Sequence, residues 1–445
     1  MRLSIFVSML AAVPLALPAG AADPFLRRTT TVEVVEKVGP MVVNITTERL
    51  LRQSNPFGRR GDDPFFDRFF RDFFEPRIPR KAKSLGSGVV LDAQGHVQTN
   101  EHVVGRADVI RVAFADGREL DAKLIGADPN NDLAVLEVLT DDELSWIPLS
   151  SSDDLMVGEP VIAIGNPFGL ANTVTTGVIS ATNRSIRTDN HVYHGFLQTD
   201  ASINPGNSGG PLLNAEGRLI GINTAVYGGG QGIGFAIPID VAKRVVSELI
   251  EHGELLPVWL GLEFQDLGPE LARSLDLPQG VRGALVNRVR KESPGQRAGL
   301  ARGDAVTHVD GHAVGSARGF FEILSTVTPR QVITVAYVRD GDEHTTDITA
   351  EEFPDHLVPQ LTEEMLGLEL HGRSEGGFVV MGVRNRSGSH RIGIRVGDLV
   401  LAVNGRSLDG SESLRRSILE LRGRSRALLV VQRGNGRYNV TVPLR

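Results

Sequence analysis

Gly206-Asn207-Ser208-Gly209-Gly210-Pro211 decides how this chain is read. A serine flanked by glycines sits on a tight turn with its backbone exposed. Glycine tolerates positive φ and allows close approach of another backbone. Such a turn can aim the N–H groups of Gly206 and Ser208 at one point, which is what a developing oxyanion needs. A Gly-rich β-turn without chemistry would look the same locally, because a serine is inert without a base.

Two stretches further out supply the rest. His102 lies in Thr99-Asn100-Glu101-His102-Val103-Val104 and Asp132 in Asn130-Asn131-Asp132-Leu133-Ala134-Val135. An aspartate at the mouth of an apolar run can be buried. It can then hold the imidazole Nδ1–H and leave Nε2 to take a serine proton. Each alone reads as easily as a surface histidine or a turn residue.

Around these blocks, residues 41–47, 88–92, 109–114, 133–138, 160–164 and 218–224 are short Val- and Ile-rich runs punctuated by Gly, Asp, Asn and Pro. That pattern predicts a β-barrel or sandwich. Residues 239–251 carry apolar side chains at helical spacing, with Asp240 as the expected N-cap and Gly253 as the stop. An internal repeat follows. Trp259-Leu260-Gly261-Leu262-Glu263 matches Met365-Leu366-Gly367-Leu368-Glu369, Ala298–Asp304 matches Ile392–Asp398, and Val309-Asp310-Gly311 matches Val403-Asn404-Gly405. The first copy is longer by an expected helical insert near residues 269–277. In each copy the Leu-Gly-Leu turn can offer backbone N–H groups to a terminal carboxylate, and the next strand can pair with an extended peptide. Either copy could instead be a docking spacer.

Composition limits the alternatives. The chain has 445 residues, 41% hydrophobic and 23% charged, which fits about three globular domains. A net charge of −7 argues against a general nucleic-acid binder. With no cysteine, disulfides and thiol nucleophiles are excluded. Residues 1–22 read as an export signal: Arg2, an apolar run from Leu3 to Leu17, then Ala19-Gly20-Ala21 as a cleavage pattern. The other reading of this stretch is a retained anchor, although its length falls short of a span. Residues 361–445 hold 14 Arg, no Lys and 8 Asp or Glu, against an acidic remainder. These are either solvated faces or a basic unit meeting an acidic partner or an anionic membrane surface. Pairs such as His191/His194 and His308/His312 lack a third ligand at sensible spacing, so neither a metal nor any cofactor is expected. Residues 51–83 hold Phe57, Phe65, Phe66, Phe69, Phe70, Phe73 and Phe74. From Phe65 the spacing makes one aromatic face, either a staple on its own domain or a loop docking into a neighbouring subunit.

The blocks around His102, Asp132 and Ser208, in that order, resemble the HtrA (Deg, or Do-like) family of trypsin-fold serine proteases. Gly165-Asn166-Pro167-Phe168-Gly169 and Gly234-Phe235-Ala236-Ile237-Pro238 also stand where that family has them, and the repeat resembles tandem PDZ domains. Glu101 is a minor departure from the family's histidine block. The resemblance implies a mainly β fold: a trypsin-like double β-barrel followed by two PDZ-like α+β domains. Its expected boundaries are a signal over 1–22, a protease domain over 23–255 with 51–83 as regulatory loop, and PDZ domains over 256–353 and 360–445.

It further implies an ATP-independent endopeptidase for unfolded or damaged envelope proteins. The rival is a peptide-binding chaperone or adaptor with a weakly active protease fold. Ser208 would be nucleophile, His102 general base and then acid, and Asp132 orienter. Gly206, Asn207 and Ser208 would form the oxyanion hole. Ile203, Asn223, Thr224 and Ala225 would shape a pocket for small aliphatic side chains. Leu260, Gly261, Leu262, Leu366, Gly367 and Leu368 would bind peptide termini. Phe65, Phe66, Phe69, Phe70, Phe73 and Phe74 would gate active sites between subunits. The expected partners are unfolded polypeptides and exposed C-termini, with a homotrimer built up into hexamers or larger cages and membrane contact through the basic C-terminal domain. The expected compartment is the periplasm. A neutral His102 is required, so activity is expected to fall as pH drops from roughly 7 to 5.

Overall fold

The computed structural model describes residues 27–50, 81–105, 107–167, 172–187, 192–204, 206–226, 232–278, 280–422 and 424–444. The phenylalanines at 65, 66, 69, 70, 73 and 74 and the export signal lie outside them.

Strands β1 (Val42–Leu50), β2 (Lys81–Val90), β3 (His96–Thr99), β4 (Val109–Ala113), β5 (Glu119–Asp128) and β6 (Leu133–Val138) close into a barrel in the order β1-β2-β3-β6-β5-β4. Strands β7 (Pro160–Gly165), β8 (Thr173–Arg187), β9 (Val192–Thr199), β10 (Pro211–Asn214), β11 (Leu219–Val226) and β12 (Gly234–Pro238) close a second, ordered β10-β11-β12-β9-β8-β7. Closure leaves no free strand edge. Val43, Ile45, Val97 and Leu136 fill the first barrel, and Ala163, Ile179, Leu197 and Leu212 fill the second. A further core runs between them, from Val42, Val89 and Leu133 to Ile164, Leu213 and Ile222. Helix α1 (Thr30–Val38), capped by the Thr29 hydroxyl, and helix α3 (Ile239–His252) seal that core. Burying a leucine-sized side chain there stabilises by roughly 2 kcal/mol. The one-turn helix α2 (Glu101–Val104) leaves β3 toward the cleft between barrels.

The expected runs recur as strands, most of them longer than their apolar segment. Gly253 stops α3 in the left-handed conformation, as its sequence implies. Asp240 is not the N-cap; Pro238 holds that place. The Asp240 carboxylate instead accepts from Ser151 Oγ at 2.9 Å, Ser152 Oγ at 2.8 Å and Lys243 Nζ at 2.9 Å. Burial opposes its charge, but the bonds from Ser152, Lys243 and Ser151 outweigh that and hold the carboxyl well below its usual range.

The two repeats share one plan. The first sheet runs through Leu262–Asp266, Ala284–Val289, Ala305–Val309, Val332–Arg339 and Asp342–Thr349. The second runs through Leu368–Gly372, Phe378–Val383, Leu399–Val403, Arg426–Arg433 and Gly436–Pro443. The predicted insert is the helix Pro269–Ser274. Val258–Trp259 pairs with Glu351–Glu352, and this ribbon places Trp259 and Phe353 in the core of the second unit. The hydrophobic core therefore crosses the expected boundary between 256–353 and 360–445. Against the protease, His312 of the first unit lies 4.7 Å ring to ring from His194 on β9. Burial pushes the His312 imidazole down, with Asp310 opposing. Among the described residues no cluster of three His, Cys, Asp or Glu could hold a metal ion. None of their helices is long and apolar enough to cross a membrane.

Candidate active site

Three turns at the cleft bring the predicted residues together. His102 stands on α2, Asp132 precedes β6, and Ser208 precedes β10. Their side chains are buried, with His102 and Asp132 at 6% and 2% exposure. His102 Nδ1 lies 2.8 Å from both carboxylate oxygens of Asp132, and the His102 backbone N–H donates to Asp132 Oδ1 at 3.1 Å. A carboxylate that holds both ring and main chain fixes the rotamer as well as the tautomer.

Asp132 is placed by its own turn. Its φ is 54°, an unusual conformation for a residue other than glycine. The buried Asp128 carboxylate accepts from Asn130 N at 3.0 Å and from Asn131 Nδ2 at 2.5 Å, and Asn100 Nδ2 donates to the Asp132 carbonyl at 2.9 Å. Burial pushes the Asp128 carboxyl up, with the bonds from Asn131 and Asn130 opposing. The Asn-Asn-Asp cluster thus folds into a turn, as its composition suggests, and that turn delivers the orienter.

Thr224 ties the set together. Its hydroxyl donates to Asp132 Oδ2 at 2.5 Å, while its carbonyl accepts from Ser208 Oγ at 2.8 Å. One residue of β11 therefore touches both the carboxylate that holds His102 and the serine. Thr224 was expected to line a pocket, but its side chain faces Asp132. Asn223 is also corrected: its Nδ2 bonds the Pro211 carbonyl at 2.9 Å, and its main chain exchanges bonds with Gly209 and Gly210, so it staples the serine turn. Ile203 is buried in the second barrel beside Gly234, where any Cβ would lie 2.5 Å from Ile203 Cγ1. The side chain of Ala225 lies outside the described residues.

The glycines around Ser208 answer to space. Gly209 has φ 85°, and a Cβ there would meet the Ser87 carbonyl at 2.2 Å. The Asn207 N–H donates to the Asn204 carbonyl at 3.1 Å, which removes it from the expected oxyanion set. Among the described residues the N–H groups of Gly206 and Ser208 have no such acceptor. Sequence reading missed Ser87, a fully buried residue of β2 whose hydroxyl donates to the Gly206 carbonyl at 2.5 Å. The available signal was Gly86-Ser87-Gly88, since glycine inside a strand marks a close backbone approach.

In the repeats, Leu260, Leu262, Leu366 and Leu368 are buried, and Gly261 and Gly367 share φ 70°. The Gly261 and Gly367 carbonyls accept from Arg290 N and Arg384 N, both at 2.8 Å. The N–H groups differ. Gly367 caps the helix Val358–Leu366 by donating to the Glu363 carbonyl at 2.9 Å. The expectation that Leu366-Gly367-Leu368 offers this N–H to a peptide is thereby corrected.

A family model described as "Trypsin-like peptidase domain" matches residues 86–222, and one described as "PDZ domain" matches 258–350 and 365–444. A "Probable periplasmic serine endoprotease DegP-like" from Halomonas elongata is 38% identical over 420 residues, 87% of each chain. The "Periplasmic serine endoprotease DegP" of Salmonella typhimurium is 36% identical over 90% of this chain and 89% of its own. A solved structure titled "HtrA-type protease AlgW with decapeptide" is 38% identical and covers 73% of this chain and 99% of its own, with a TM-score of 0.49.

Proposed function

Because the chain belongs to the HtrA family of trypsin-fold serine proteases, we propose that Ser208 is its nucleophile, His102 its general base and Asp132 the orienter. It is a serine endopeptidase. The observation that carries the assignment is the chain of contacts His102–Asp132–Thr224–Ser208, closed within one buried site.

On this reading substrate binding turns the Ser208 hydroxyl from the Thr224 carbonyl toward His102 Nε2. The imidazole takes the proton as Oγ attacks the scissile carbonyl, and the N–H groups of Gly206 and Ser208 receive the oxyanion. Collapse of the tetrahedral intermediate breaks the C–N bond, with the His102 proton going to the leaving amine. Water activated by the same imidazole then releases the acyl group. Ser208→Ala, with the fold intact, should lower casein and peptide hydrolysis by at least about 10⁴-fold. Equal rates in variant and wild type would sink the assignment and favour the adaptor reading.

Substrates are unfolded polypeptides, captured at exposed C-termini by the first PDZ unit, in the periplasm where the similar proteins are named. A small aliphatic preference at the cleavage site is part of this reading; Ile203, five residues before Ser208, is packed in the second barrel's core. The assembly is a homotrimer able to grow into larger cages, gated by the Phe-rich segment. Replacing Phe69, Phe70 and Phe73 with Ser should shrink the resting particle in sedimentation and raise basal peptidase activity. The basic last unit, with its 14 Arg over residues 361–445, suits contact with an anionic membrane surface. Vesicle flotation that does not depend on anionic lipid would remove that last assignment.

A further inference from the structure

We propose that Ser87 is the positioning residue of the oxyanion cradle; this rests on the assignment of Ser208 as nucleophile. Ser87 belongs to the other barrel, yet it clamps the serine turn at two places. Its hydroxyl donates to the Gly206 carbonyl at 2.5 Å, and its backbone N–H donates to the Ser208 carbonyl at 2.8 Å. The two oxyanion donors, Gly206 N–H and Ser208 N–H, lie on the peptide units either side of the one that Ser87 Oγ holds. The orientation of that central unit sets the angle between the donors.

Gly206 cannot set it alone. At φ 109° it occupies backbone space that side chains rarely adopt, and a glycine restrains its own backbone least of all residues. The clamp is itself locked. Ser87 Oγ accepts from Asn166 N at 2.8 Å, so the hydroxyl hydrogen has one direction left, toward Gly206. Behind it, Asn44 Nδ2 donates to the Asn166 carbonyl at 2.7 Å and Thr99 Oγ1 to the Ser87 carbonyl at 2.7 Å. Ser87, Thr99 and Asn166 are fully buried and Asn44 nearly so, hence water does not substitute for these partners. The central unit is thus held at both ends: its N–H by the Asn204 carbonyl of the nucleophile's own barrel at 3.1 Å, and its carbonyl by Ser87 of the histidine's barrel.

A misaimed donor costs transition-state binding and spares ground-state binding. Ser87→Ala is therefore expected to lower kcat roughly 10- to 100-fold with little change in KM. Affinity for a peptide boronate, which presents a tetrahedral oxyanion, should fall in proportion. Affinity for the matching product peptide should hold within about twofold, and the pH profile of kcat/KM should keep its shape, since His102 and Asp132 are untouched. Ser87→Cys keeps the shape with a weaker donor and should lose less, roughly 3- to 10-fold; it carries the test if the alanine variant does not fold. Ile45→Val, a buried change in the neighbouring strand, should lower the melting temperature without moving the boronate-to-product ratio. Wild-type kcat in Ser87→Cys overturns the proposal, as does equal loss of boronate and product binding in Ser87→Ala. Activity that survives Ser208→Ala would instead break the nucleophile assignment on which the proposal rests.

Discussion

The two PDZ units are built on one plan and differ where a ligand would sit. Both bury an aspartate under an arginine: Arg339 Nε bonds Asp304 at 2.7 Å, and Arg433 Nε bonds Asp398 at 2.6 Å. Both seat the turn glycine on a serine, since a Cβ on Gly261 would lie 2.1 Å from Ser293 Cβ and one on Gly367 2.2 Å from Ser387 Cβ. The approach to the turn differs. A short strand leads to Gly261, whereas a helix ends on Gly367 and takes its N–H. The helix beside the binding strand differs too. Phe320 and Phe321 of the first unit pack on Phe264, at ring distances of 4.2 and 5.9 Å. The repeat register puts Leu414 and Arg415 at those places. Arg415 is buried and donates to the Phe353 carbonyl at 3.1 Å, so the linker between units lies against the second helix. A shared scaffold thus packs phenylalanines between helix and strand in one copy and an arginine against the linker in the other.

The largest test strikes what the units share. Asp304→Ala and Asp398→Ala should each destabilise their own unit by about 2–3 kcal/mol, because each carboxylate also holds a backbone N–H, of Ala301 or Arg395. Calorimetry should show the affected transition moving down while short-peptide hydrolysis persists; a single undivided transition would mean that the shared Trp259–Phe353 core welds the units. Next comes the difference. Gly261→Ala should weaken binding of a C-terminal peptide by about tenfold or more in a titration on the full chain, and Gly367→Ala should leave it unchanged. Equal effects would erase the distinction between turns.

A smaller effect is set by acid. The side-chain bond from Arg433 holds the Asp398 carboxyl below its usual range. A depressed folded pKa means that the contribution is complete above the unfolded carboxylate value, about 3.9. It is lost as pH falls through the lower folded value. Melting of the second unit should therefore steepen in its pH dependence below about 4, and Asp398→Asn should flatten that slope. The smallest expected change is at Glu364, which pairs with Arg290 at 2.6 Å beside the first turn. Glu364→Gln should tighten peptide binding about two- to threefold by leaving Glu263, at 2.8 Å, as the one carboxylate competing with a terminal carboxylate for the guanidinium. Weaker binding would make the pair a support of the groove.

Much of the site was legible before any coordinates. The Gly-Asn-Ser-Gly-Gly block, the histidine block and the Asn-Asn-Asp turn each carry local chemistry that dictates local shape. The resemblance to the HtrA family, carried by their order along the chain, paired them. The internal repeat, its insert and the stop at Gly253 were equally plain, because turn glycines and apolar periodicity act over a few residues. What stayed hidden lies between segments far apart in sequence. Thr224 read as a pocket residue until β11 brought its hydroxyl to Asp132, and Ser87 went unnoticed until two barrels met across it. The equivalence of Gly261 and Gly367 held in sequence and failed in space, because hydrogen-bond partners are chosen by what packs nearby. Sequence alone determined which groups this protein has to work with and the turns that display them; tertiary structure decided which backbone N–H groups remain available and what aims them, since burial makes every such partnership exclusive.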